Sequence, residues 1–156
     1  MNKELQTKQE NMLTATRTHF SPFALTMEGF ATQSPNLLLE PTLRTPYVNY
    51  NKSQLKLTIK GRSTDRDISE FYAPIISLLK RDSKKTNFIA LDIHIPEMNT
   101  ATLKVLFDLF RFLSIKVSRG TAVEVVWRSS FKNQEMRETG YDFSDLFDLN
   151  FRLISE

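Results

Sequence analysis

The chain has 156 residues, 40% of them apolar and 25% charged, which suits one soluble domain with a tail. It has no cysteine and only two histidines, His19 and His94, which excludes disulfides and thiolate chemistry and leaves too little for the common histidine metal sites and triads. The net charge of +3, from 21 basic and 18 acidic residues, is spread along the chain and describes a solvated surface, not a nucleic-acid footprint.

The first thirty residues lack the basic start and apolar run of a secretory signal. No stretch approaches the roughly 18 apolar residues of a membrane span, so a cytoplasmic location without membrane insertion is expected. Residues 1–41 are rich in Thr, Asn, Gln and Ser and show no sustained period, interrupted by Phe20, Phe23, Phe30 and Leu37-Leu38-Leu39. The expectation is a flexible extension over residues 1–44 and a folded domain over 45–156.

Thr45-Pro46 opens a short strand, Tyr47 to Tyr50, and Asn51-Lys52-Ser53 makes a turn into a second strand, Gln54 to Lys60. Leu55, Leu57 and Ile59 take one face of that strand, Lys56, Thr58 and Lys60 the other, so the pair reads as an antiparallel hairpin. Thr64-Asp65-Arg66-Asp67 resembles a capping box before a helix with Ile68, Phe71, Tyr72, Ile75, Leu78 and Leu79 on one face. Pro74 is expected to kink that helix or shift its start. A basic loop, 80–85, follows.

Residues 87–113 then read as strand, turn and helix. Ile89, Leu91, Ile93 and Ile95 alternate with Phe88, Ala90, Asp92 and His94, and the helix places Leu103, Leu106, Phe107, Phe110 and Leu113 on its core face. A further strand, Thr121 to Trp127, a helix from Asn133 to Phe147 with Gly140 as a weak point or break, and a last strand, Leu149 to Ile154, complete the chain.

The order is ββαβαβαβ, a single α+β domain. Helical crossovers imply parallel strands joined to the opening hairpin in a mixed sheet. Lys56, Thr58, Lys60, Asp92, His94 and Glu124 recur on one face, where a doubly covered sheet would be apolar. Helices are therefore expected mainly on the other face.

Candidate chemistry is sparse. Asp92 and His94 share a strand face, but no further ligand supports a metal. Asp142, Asp145 and Asp148 lack the ligand alternation and glycine of a calcium loop. Neither a phosphate-cradling glycine loop nor a nucleophile elbow occurs, so no catalytic residue, no cofactor and no enzyme is expected. At the start of the central helix, Asn99 or Thr100 can act as N-cap, or a Thr hydroxyl can accept a phosphate beside free N–H groups. Val105, Leu109 and Phe112 form a second apolar stripe on this helix, read either as a wide core contact or as a partner surface.

From Thr45 to the C-terminus the sequence resembles the SiaC family of bacterial regulatory phosphoproteins. The resemblance rests on Thr45-Pro46, the run Leu57-Thr58-Ile59-Lys60-Gly61-Arg62-Ser63, Phe71-Tyr72-Ala73-Pro74, Asn99-Thr100-Ala101-Thr102-Leu103-Lys104, Val126-Trp127 and the segment from Glu135 to Gly140. It departs from the family pattern at Glu97-Met98, at Ala101-Thr102 and at Thr64-Asp65-Arg66. The resemblance implies a fold like the STAS anti-sigma-factor antagonists and a switch threonine, phosphorylated by a Ser/Thr kinase and cleared by a PP2C-type phosphatase. It further implies a diguanylate cyclase or another effector protein as partner. Thr100 matches the phosphorylated position and Thr102 is the alternative acceptor, with Asn99, Ala101 and Lys104 forming the phosphate environment. Val105, Leu109 and Phe112 are the expected partner contacts. The rival readings are a constitutive binding module without a switch, and a small enzyme built on Asp92 and His94.

Overall fold

A computed structural model of the chain describes residues 36–156. Of the extension expected over residues 1–44, residues 1–35 lie outside the described residues.

Six strands form one sheet in the order of the chain: β1 (Leu37–Leu39), β2 (Tyr47–Asn51), β3 (Lys56–Lys60), β4 (Phe88–His94), β5 (Ala122–Ser129) and β6 (Asn150–Ser155). The first three pair antiparallel and the rest parallel. Three helices fill the crossovers: α1 (Ile68–Asp82), α2 (Thr100–Ser118) and α3 (Gln134–Leu146). Each parallel strand is laid beside the one before it. Right-handed crossovers that advance in a single direction must all return over the same face of the sheet.

The burial pattern agrees. Leu57, Ile59, Ile89, Leu91, Ile93, Val123, Val125 and Trp127 point into one core, at no more than 6% exposure. Thr58, Asp92, His94 and Glu124 are half-exposed on the other face, while Lys56 and Lys60 are exposed there. The mixed α+β sheet with one polar face is thus as expected.

Three local features differ from expectation. The folded domain begins earlier than residue 45: Leu37 and Leu39 are buried and pair with Tyr50 and Val48 as an added edge strand. Three leucines in a row show no alternation, but Leu38 points outward and its neighbours inward. The segment 64–67 is no capping box, since Asp67 caps α1 without a side-chain bond and Asp65 Oδ1 instead accepts from the Asp67 N–H at 2.8 Å. Pro74 lies within α1, whose start at Ile68 precedes it, so it does not mark the helix start. The bond it cannot make is to the carbonyl of Glu70, an exposed residue that water can reach.

Gly140 is likewise no break. It is buried mid-helix because α3 lies against the Trp127 indole, whose Nε1–H donates to the Met136 carbonyl at 2.9 Å. Around it, Phe110 packs edge-on to Phe143 and Phe151 at 4.8 and 5.2 Å between ring centres.

A Cβ at Gly140 would stand 2.5 Å from Trp127 Cδ1 and 2.9 Å from Leu153 Cδ2. Gly140→Ala gains about 1 kcal/mol of helix propensity but overpacks a rigid ring, a cost of about 1–3 kcal/mol at the least. Urea denaturation is expected to show net destabilisation. A variant as stable as the parent would mean that α3 slides off the indole freely.

Candidate functional site

The site is the start of α2, held by the segment that follows β3. Gly61, at φ 126°, turns the chain out of β3 in a conformation that favours glycine, and its N–H donates to the His94 carbonyl at 2.9 Å. Two residues later, Ser63 pairs with Met98 in an isolated parallel bridge: Ser63 N–H donates to Glu97 O at 2.9 Å, and Asn99 N–H to Ser63 O at 3.1 Å. Arg62 reinforces the contact from outside with an ion pair to Glu97 at 2.8 Å.

Asn99 is the N-cap. Its backbone is extended and its Oδ1 accepts from the Thr102 N–H at 2.9 Å, as short polar side chains do at this position. Its amide also donates to Asp65 O at 2.9 Å, so one side chain fastens the helix start to the preceding loop.

The two candidate threonines differ completely. Thr100 is exposed, and its hydroxyl bonds no other described residue. Thr102 is fully buried, and its hydroxyl donates to Ser63 O at 2.8 Å while lying 2.8 Å from Ser63 Oγ. Ser63 Oγ in turn lies 2.8 Å from the Tyr72 hydroxyl. Burial pushes the Tyr72 phenol well above the usual range, so it keeps its proton. Lys104 is exposed one turn beyond Thr100, and Ala101 is half-buried against the core.

Both apolar stripes of α2 contribute to the core. Leu109 is only 2% exposed, and Val105 and Phe112 pack partly buried against the core, with Lys80 of α1 lying 5.2 Å from the Phe112 ring centre. Of the expected partner stripe, Leu109 is buried and Val105 and Phe112 keep part of their surface in solvent. Leu106, Phe110 and Leu113 are buried as expected, but Leu103 and Phe107 are 42% and 38% exposed. At 3.6 residues per turn, Thr100, Leu103 and Phe107 fall within about 60° of one another on one flank of α2. Phe107 meets Phe147 edge-on at 5.2 Å, and Leu146 beside it is exposed. An apolar strip thus begins at Thr100 and runs along α2 to its seam with the end of α3.

Asp92 and His94 form no such site. Asp92 is engaged by Arg128, whose Nε and Nη2 donate at 2.9 and 3.2 Å, while Arg128 Nη1 reaches Glu156 at 3.0 Å. Asp92 and Arg128 border a basin of about 500 Å³ on the polar sheet face that also takes in Lys56, Glu124 and Arg152, and His94 lies outside it. Asp142, Asp145 and Asp148 are solvent-exposed. Among the described residues, no group of three or more acidic, histidine or cysteine side chains is placed to hold a metal ion, and no helix is long and apolar enough to cross a membrane.

Comparison with known proteins agrees with the fold. The family model described as SiaC family regulatory phosphoprotein matches residues 39–156. The chain belongs to the SiaC family of regulatory phosphoproteins. The matched segment begins at the last residue of β1, in keeping with the early start of the domain. The apo-SiaC structure from Pseudomonas aeruginosa superposes with a TM-score of 0.72 at 20% identity, covering 77% of this chain and 98% of that one. SiaC from the same organism, in complex with the diguanylate cyclase SiaD that it activates, superposes with a TM-score of 0.73 at 20% identity, covering 77% and 99%. No curated protein matches the chain.

The orientation of α2 is measurable. Leu109→Ala is expected to cost about 2–5 kcal/mol in denaturant unfolding, the range for a buried leucine. Leu103→Ala should change stability by no more than about 0.5 kcal/mol, as at an ordinary surface site. Equal costs would contradict the assigned orientation of α2.

Proposed function

We propose that this SiaC-family protein is a phosphoswitch in which the modification state of Thr100 decides whether the exposed strip Leu103–Phe107 holds an effector protein. The observation that carries the proposal is the position of an exposed, unengaged Thr100 at the head of that strip. Because Asn99 supplies the cap, Thr100 is not needed for helix formation, and its hydroxyl is available to a kinase.

A phosphate there brings about −1.5 to −2 charges and three acceptor oxygens. The Thr102 and Leu103 N–H groups are already bonded to Asn99, which leaves those of Thr100 and Ala101 at the positive end of the helix dipole. Lys104 lies on the same flank as a further counter-charge. The added charge stands where an apolar partner would pack, and burying it against that partner is costly. Unmodified protein binds; modified protein releases. By analogy with the SiaC–SiaD complex, the effector is a diguanylate cyclase; a Ser/Thr kinase and a PP2C-type phosphatase, implied by the family resemblance, set the state.

The reading is tested on protein isolated from its native cells and by titration against the diguanylate cyclase of those cells. Peptide mapping should find one phosphoryl group on Thr100, absent from Thr100→Ala. Thr100→Glu and Leu103→Asp should each weaken cyclase binding by at least about tenfold without unfolding the protein. Full affinity for both variants would mean that the partner sits elsewhere, and a protein that carries no phosphate under any growth condition would be a constitutive binding module.

A further inference from the structure

The hydroxyls of Tyr72, Ser63 and Thr102 form a chain in the interior, with exposures of 1%, 0% and 0%. Its proton order follows by elimination. Thr102 spends its single proton on the Ser63 carbonyl, so the Ser63 hydroxyl must donate to Thr102 Oγ1. That in turn makes the Tyr72 phenol the donor to Ser63 Oγ. Ser63 O also receives the Asn99 N–H, and Ser63 N–H is bonded to Glu97, so every polar group of Ser63 is engaged. Loop, helix start and α1 are joined at one residue.

We propose that this chain is the specificity-determining device of the switch. It commits the Thr102 hydroxyl to the interior, so that Thr100 is the one threonine of the first turn presented to a kinase. It also clamps residues 61–67 to α2, which holds Thr100 and Leu103 in a fixed orientation. Ser63 and Thr102 are positioning residues; neither is modified. The inference rests on Thr100 as the modified residue.

The test compares full-length wild type, Thr102→Val, Thr102→Ser and Ser63→Ala, each produced in the native cells, by phosphopeptide mapping and amide hydrogen exchange. Wild type should carry phosphate on Thr100 alone. Thr102→Val keeps the side-chain shape but removes the hydroxyl, and exchange at Ser63 and Asn99 should quicken roughly tenfold, the scale of one lost buried hydrogen bond. Thr102→Ser restores the hydroxyl and should restore wild-type exchange, with phosphate still only on Thr100. Ser63→Ala removes the hydroxyl that donates to Thr102 Oγ1 but keeps the carbonyl that receives the Thr102 proton, so Thr102 loses one of its two bonds and phosphate should appear on it as a minor fraction beside Thr100.

Phosphate on Thr102 of the wild type would overturn the proposal, as would wild-type exchange in Thr102→Val. A Ser63→Ala protein that is less stable yet modified on Thr100 alone would reduce the chain to a structural role and overturn it too. Absence of phosphate from every protein would sink the switch itself and the specificity with it, while the exchange data would still show whether the clamp exists.

Discussion

The arrangement of this protein depends on one constraint: three successive right-handed crossovers that advance in the same direction along a sheet. Because β3, β4, β5 and β6 are laid down side by side, α1, α2 and α3 have one face on which to land. Three helices share that face, and α2 is packed on one flank by α1 and on the other by the aromatic cluster of α3 and β6. The opposite face is left to Lys56, Asp92, Glu124, Arg128 and Arg152, which meet solvent, with Asp92 paired to Arg128. The helix layer thus carries the apolar surface available for recognition.

Within that layer the start of α2 is over-determined. Asn99 alone makes a cap, a bond to the loop carbonyl of Asp65 and a bond to Ser63 O. Buried polar groups cost free energy unless paired, and the cluster beneath the site is fully paired, with no unsatisfied buried side-chain atom among the described residues. Such a network admits few alternative arrangements, because breaking one bond leaves a buried donor or acceptor without its partner. Rigidity below and exposure above are what a modification site on a recognition surface requires.

Much of the fold is legible in the sequence because strands report their own environment. The alternation in Lys56–Lys60 and Phe88–His94 identified both the core face and the polar face, since period two leaves no ambiguity about which side a residue takes. The edge strand at Leu37–Leu39 escaped that reading, for three residues cannot display a period and their polar surroundings resemble a tail. Gly140 was misread for a different reason. Glycine in a helix ordinarily marks weakness, whereas here it marks the close approach of an indole that lies distant in the sequence.

The candidate site was legible in position but not in orientation. Asn99-Thr100 announces a helix start, and the cap was found there. Periodicity, however, gives the width of an apolar arc and not its direction. Val105, Leu109 and Phe112 are as apolar as Leu103 and Phe107, and only the packing of α1 decides which stripe is covered. The same holds for the two threonines. Thr100 and Thr102 look interchangeable in a run of short polar residues. Their difference is made by Ser63, 39 positions away, which turns one hydroxyl into part of the core and leaves the other to solvent. Long-range hydrogen bonds of this kind have no local signature, so which threonine hydroxyl stays exposed is decided by the segment that packs under the helix and not by the local motif.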